Sequence, residues 1–152
     1  MKIALVACSA SKASADAPVR DLYTGQLFRL SLRYAEATAD RVFVLSAKHG
    51  LLSLTSRVAP YDVAIVDLTA VARAERASRV AADLEIALDA QEPESIAVLA
   101  GAAYVRPLLP ALNERVLHRH ARRIDDRILL PLAYRGAIGE QKHWLASEIA
   151  KL

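Results

Sequence analysis

A single cysteine, Cys8, is all the thiol this chain carries. It excludes an internal disulfide and a structural zinc cage built from thiolates. Metal motifs are missing too: His118-Arg119-His120 lacks ligand spacing, so neither metal nor cofactor is expected. No run reaches the about 18 apolar residues of a membrane span. The apolar run at the start, Lys2 to Ala7, is too short for a signal peptide and passes straight into polar sequence, which predicts a cytoplasmic protein. An excess of either charge is lacking as well, with 20 Lys and Arg against 17 Asp and Glu. The formal net charge is +3 and the pI about 9.2, compatible with a nucleic-acid partner without demanding one. Glycine numbers only five, and none falls in Cys8-Ser9-Ala10-Ser11-Lys12. That segment therefore cannot be a P-loop, although its hydroxyls, free amides and lysine after a strand form a short phosphate cradle. A phosphatase loop is excluded as well, because Ser14 stands where its arginine would be.

What is abundant is Ala, Val and Leu; hydrophobic residues make up 54% of the 152. The length predicts one domain, residues 1–152, with one sizeable core. Lys2–Ala7 is a continuous apolar run, as expected of a strand buried on both faces. Leu27, Leu30, Tyr34 and Thr38 follow helical spacing. Arg41–Leu45 reads as a second strand and ends in Ser46-Ala47-Lys48-His49-Gly50. Next comes a loop of about ten residues containing Pro60-Tyr61-Asp62, where Pro60 disfavours helix. Thr69–Leu88 is the longest helix, with Val80, Leu84 and Leu88 on one face. Ser95–Ala100 is a third strand, followed by a turn at Gly101–Tyr104 and a helix from near Arg106. Arg127–Leu130 is a fourth, and the last helix packs Ile138, Leu145, Ile149 and Leu152. This alternation predicts an α/β three-layer sandwich around a mainly parallel four-stranded sheet, in the order 2-1-3-4. All four strand ends then share one rim, where open parallel sheets bind ligands.

The chemistry-bearing residues gather on that rim. Cys8 is a candidate nucleophile, with His49 as its base and Lys12 or Lys48 favouring the thiolate; the bland alternative is an inert strand-end cysteine. Asp62 is the best carboxylate, or else a turn aspartate bonded to its own backbone. Ser9, Ser46 and Gly101 stand at strand ends. Tyr23, Tyr61 and Tyr104, with Tyr134, can stack on a base or sugar, although singly each is more often a core or rim residue. Arg115 to Arg123 forms a basic stretch that is either a solvated surface or a contact for phosphate backbone.

Cys8-Ser-x-x-Lys12, Asp21-Leu-Tyr-Thr-Gly25 with Phe28, Ser46-Ala-Lys-His-Gly-Leu51, Pro60-Tyr-Asp62 and Leu99-Ala-Gly-x-x-Tyr104 together resemble a widespread family of small bacterial and phage proteins of unknown function. More remotely, Cys8-x3-Lys12 with His49 is similar to the signature of the amidine-forming domain of archaeosine synthase, which joins lysine to a deazaguanine base in tRNA. The expected sheet also resembles the uracil-DNA glycosylase-like fold. The Gly-Gln-Asp-Pro-Tyr motif of true uracil glycosylases has no counterpart here, so a conventional member is not expected.

The rim residues and these remoter resemblances together lead to the expectation of an enzyme acting on a nucleobase or nucleoside, free or within DNA or RNA. Glycosidic cleavage or exchange, or transfer onto a modified base, would be its reaction. Cys8, Lys12, Lys48, His49 and Asp62 would carry the chemistry; Ser9, Tyr23, Ser46, Tyr61, Gly101 and Tyr104 would line the site. The rivals are a non-catalytic nucleic-acid-binding or accessory module and a thiol-based stress protein.

Overall fold

The computed structural model describes residues 1–118 and 125–152. Along the chain run β1 (Lys2–Ala7), β2 (Ala17–Pro18), α1 (Val19–Leu22), α2 (Gln26–Thr38), β3 (Arg41–Ser46), β4 (Gly50–Ser53) and β5 (Arg57–Val58). A short 3-10 helix (Ile65–Asp67) then precedes α3 (Ala70–Ala87), β6 (Ser95–Leu99), α4 (Ala102–Arg115), β7 (Ile128–Leu129) and α5 (Ile138–Ala150). The architecture is α/β: a five-stranded, mainly parallel central sheet flanked by helices, in the order β4-β3-β1-β6-β7. β1 pairs in parallel with β3 on one side and β6 on the other, and β7 runs parallel to β6. β2 and β5 form a separate two-stranded antiparallel pair.

The period of two along β1 sorts its side chains between two cores. Ile3 and Leu5 pack with Val80, Leu84, Leu108 and Leu112 under α3 and α4. Ala4 and Val6 pack with Phe28, Leu32, Ala35 and Leu145 under α2 and α5. Both faces are covered, which is why β1, β3 and β6 read as unbroken apolar runs. α3 begins where its sequence says it should: the Thr69 hydroxyl accepts the Ala72 amide at 3.1 Å, a cap worth about 1 kcal/mol.

Several expectations are corrected. The sheet has five strands, not four, because the chain turns back after His49 and β4 pairs antiparallel with β3. The segment expected to be a ten-residue loop thus contains β4 and β5; Gly50-Leu51-Leu52-Ser53 has no strand-like alternation, and only pairing to the β3 edge makes it one. The fourth parallel strand keeps only Ile128 and Leu129. α4 starts at Ala102 rather than near Arg106, with Pro107 and Pro110 inside it. On α2 the buried line is Phe28, Ser31, Leu32 and Ala35, one position round from the expected stripe. On α5, Leu145 is buried, but Ile138 and Leu152 are exposed because the packed side turns through Gln141 and Trp144. Most of the basic stretch, Arg119 to Arg123 with His120, lies outside the described residues.

Candidate functional site

The rim is organised by the end of β1. Cys8 extends the ladder by one bond, its amide donating to the Leu45 carbonyl at 3.0 Å. Its parity with Ala4 and Val6 sends the thiol toward α2 and α5, where it packs half-buried. The next residue turns away and is tied down. The Ser9 hydroxyl donates to the Ser11 carbonyl at 2.7 Å and accepts the Gly25 amide at 3.3 Å. Gly25 is needed there, since a Cβ would stand 2.8 Å from the Ser9 Cβ. From the far side, Tyr104 in the first turn of α4 brings its phenol oxygen to 3.3 Å from the Cys8 sulfur.

β3 contributes a hairpin tip. Ala47-Lys48-His49 forms a three-residue loop between the paired Ser46 and Gly50, and Gly50 takes a φ of 77° that closes it. The Ser46 hydroxyl is buried; it accepts the His49 amide at 3.0 Å and lies 2.6 Å from the Tyr61 phenol oxygen. That oxygen lies 2.5 Å from the phenol of the fully buried Tyr23. The chain carrying Tyr61 is held against α3 by Arg73, which donates to the Ile65 and Val66 carbonyls at 3.0 and 2.8 Å. Burial pushes the phenols of Tyr23, Tyr61 and Tyr104 above their ordinary range, and negative charge on Cys8 would push each further. All three are therefore neutral hydrogen-bonding groups at neutral pH.

Charge frames this hydroxyl chain. The Lys12 ammonium sits 4.4 Å from the Tyr61 ring centroid and the Lys48 ammonium 5.8 Å from it. The His49 ring meets Tyr61 edge-on, centroids 5.2 Å apart. Burial, and then the positive charges of Lys48, Arg76 and Arg79, hold His49 below the usual imidazole range. It is neutral at pH 7 and able to accept a proton.

Beside the thiol opens a crevice of about 240 Å³, lined by Cys8, Ser9, Ala10, Phe28, Gly101 and Gln141 among others. It lies beyond the carboxyl ends of β1 and β6, where the chain changes direction across the sheet, the usual place for a ligand in such folds. A Cβ at Gly101 would meet no atom within 4 Å, and its φ of −77° suits any residue. Neither strain nor crowding therefore asks for glycine there.

Cys8, Ser9, Lys12, Tyr23, Ser46, Lys48, His49, Tyr61, Gly101 and Tyr104 thus occupy one rim. Asp62 does not join them: it is exposed, with no hydrogen bond or ion pair among the described residues. Nor does His49 bond to Cys8; the group at hydrogen-bond distance from the thiol is Tyr104, because the hairpin turns the imidazole onto Tyr61. Sequence reasoning passed over Ser31 and Gln141, which line the crevice, although each is a polar residue on the buried side of an amphipathic helix. Arg76, one of the helix arginines, runs its stem past Gly50. Among the described residues, no three His, Cys, Asp or Glu side chains gather to hold a metal ion. No helix there is long and apolar enough to cross a membrane.

No curated protein and no solved structure matches the chain significantly. A family model does, over residues 3–147, and the protein belongs to that family of unknown function, DUF6884.

Proposed function

We propose that the protein is an enzyme acting on a nucleobase or nucleoside, free or within DNA or RNA, by glycosidic cleavage or exchange or by transfer onto a modified base. The observation that carries this reading is the crevice at the ends of β1 and β6, with a thiol on its wall and open space over Gly101. A planar base suits a narrow, largely apolar slot bounded by a few polar groups, here Cys8, Ser31 and Gln141. Cys8 would position the ligand, or attack its anomeric carbon as the glycosidic bond breaks and the base leaves with that electron pair, with the Tyr104 phenol stabilising the thiolate before attack. His49, neutral and with no hydrogen bond to its imidazole among the described residues, would accept a proton from the ligand or from water beside it, and the two lysines would offset negative charge developing in the reaction. Ser9 supports the site from below. Asp62, exposed beside Tyr61, would reach the ligand only from solvent. A uracil-DNA glycosylase-like architecture is part of the proposal; what supports it is the parallel order with the thiol-bearing strand in the centre.

The test is calorimetric titration with nucleobases, nucleosides and a single-stranded oligonucleotide, with chromatography for released or exchanged base. The parent should bind, Gly101→Leu should bind much more weakly while melting normally, and Cys8→Ala should bind without turnover. Equal binding by parent and Gly101→Leu, or none by either, overturns the crevice reading. Steeply salt-dependent nucleic-acid binding that ignores Cys8→Ala and His49→Ala would indicate the accessory-module alternative. Peroxide oxidation of Cys8 without ligand binding would indicate the thiol stress protein.

A further inference from the structure

Lys12, Lys48 and Arg76, on the hairpin side of the rim, have no acidic partner among the described residues. Some cations elsewhere are paired, Arg20 with Glu36, Arg127 with Asp125 and Glu92, Lys151 with Glu148. Lys12 and Lys48 instead both approach the ring of Tyr61, at 4.4 and 5.8 Å, and neither meets a carboxylate among the described residues. Two like charges gathered on one ring repel, and water offers each a better place if nothing else is to come between them. Arg76 adds a third positive charge. Its Cδ stands 3.7 Å from where a Cβ of Gly50 would be, and its Nε is buried without a hydrogen-bond partner among the described residues. An unpartnered buried N–H is costly in a folded protein and needs a reason. Lys12 also ties this cluster to the crevice, because its ammonium donates to the carbonyl of Ala10, a crevice residue, at 3.2 Å.

We infer that Lys12, Lys48 and Arg76 form a phosphate subsite beside the crevice, so that the ligand is a phosphate ester of a nucleoside rather than a bare base or nucleoside. The inference rests on the nucleobase reading for the rest of the ligand, and on the charge arrangement for the phosphate. The three cations come from separate parts of the chain: Lys12 follows β1, Lys48 tips the β3–β4 hairpin, and Arg76 on α3 passes Gly50 at the base of that hairpin. Tetrahedral phosphate oxygens can meet donors arriving that way, whereas a planar carboxylate presents only two oxygens. Single-sign charge at the mouth of a cleft also draws such a ligand in.

The experiment compares four probes on the full chain: a deoxynucleoside, its 5′-monophosphate, inorganic phosphate, and a single-stranded oligodeoxynucleotide of about ten residues. The monophosphate should bind at least about tenfold more tightly than the nucleoside. Lys12→Gln and Lys48→Gln should each bring that ratio toward one, while Lys151→Gln, an equal charge change far along the chain, should leave it intact. Lys48 is exposed at the hairpin tip, so its variant reports on binding even if Lys12→Gln melts early. For the oligonucleotide, each rim variant should lower the salt slope by about 0.7. A gain for the monophosphate alone identifies a monoester, and a slope change with the strand identifies the backbone diester. Equal affinity for nucleoside and monophosphate, with no change in the strand's slope, overturns the subsite but leaves the nucleobase reading standing. Phosphate binding that depends on both lysines, with no binding of the nucleoside, supports the subsite and overturns the nucleobase reading instead.

Discussion

The sulfur of Cys8 and the phenol oxygen of Tyr104 lie 3.3 Å apart, although 96 positions separate them in the chain. The pair joins the end of the central strand to the first turn of α4. Burial keeps the Tyr104 phenol neutral, so once the thiol ionises, the only proton between them belongs to the tyrosine. A hydrogen bond to a charged partner is worth about 1.5–3 kcal/mol, or roughly tenfold or more in an equilibrium. Tyr104→Phe should therefore slow alkylation of Cys8 by iodoacetamide at neutral pH about tenfold. An unchanged rate would return Cys8 to an inert strand-end role.

Removing the middle hydroxyl of the Ser46–Tyr61–Tyr23 chain leaves two buried groups without it. Tyr61→Phe is expected to cost about 1–3 kcal/mol in denaturant unfolding, since Tyr23 and Ser46 are almost wholly enclosed. Adding Tyr23→Phe should cost less than its own single effect, because both partners of that bond are then gone. Additive losses would show that the short contact carries no coupling.

His49 should spare the fold at neutral pH. Its backbone amide is bonded, but no hydrogen bond to its imidazole occurs among the described residues. In the folded protein the imidazole titrates below its ordinary value of about 6.5, so between those values the unfolded chain binds more protons. Stability from this group is flat above about pH 6.5 and falls as the pH drops below it, until the folded value is reached. His49→Gln should therefore match the parent in unfolding near pH 8 and be relatively more stable in the acid range. The other histidines contribute alike to both proteins, so coincident pH profiles would refute the assignment.

Two glycines should respond in opposite ways. Gly25→Ala places a Cβ against the Ser9 Cβ, two atoms with little freedom to yield, and should cost about 1–3 kcal/mol. Gly101→Ala enters open space at an ordinary φ and should stay within about 0.5 kcal/mol of the parent. Thermal melts of the two variants settle it; equal losses would mean that the Ser9–Gly25 contact is not a constraint.

Elements whose signals are local can be read straight from the chain. Lys2–Ala7, Arg41–Ser46 and Ser95–Leu99 are continuous apolar runs because strands covered on both faces can tolerate nothing else. Thr69 announces α3 through its own hydroxyl, and the rim motifs were legible because polar residues follow each run abruptly. Features that depend on distant partners emerge only when the chain is folded. Gly50–Ser53 is a strand only because the β3 edge offers it hydrogen bonds. Tyr23 is a core residue with a polar tip, rather than a pocket wall, because Tyr61 and the α2 core close over it. The thiol found a phenol instead of an imidazole because the hairpin loop turns His49 back onto Tyr61. Periodicity and capping act within a few residues, whereas these contacts follow from the order of strands in the sheet, which is set by burying both of its faces at once.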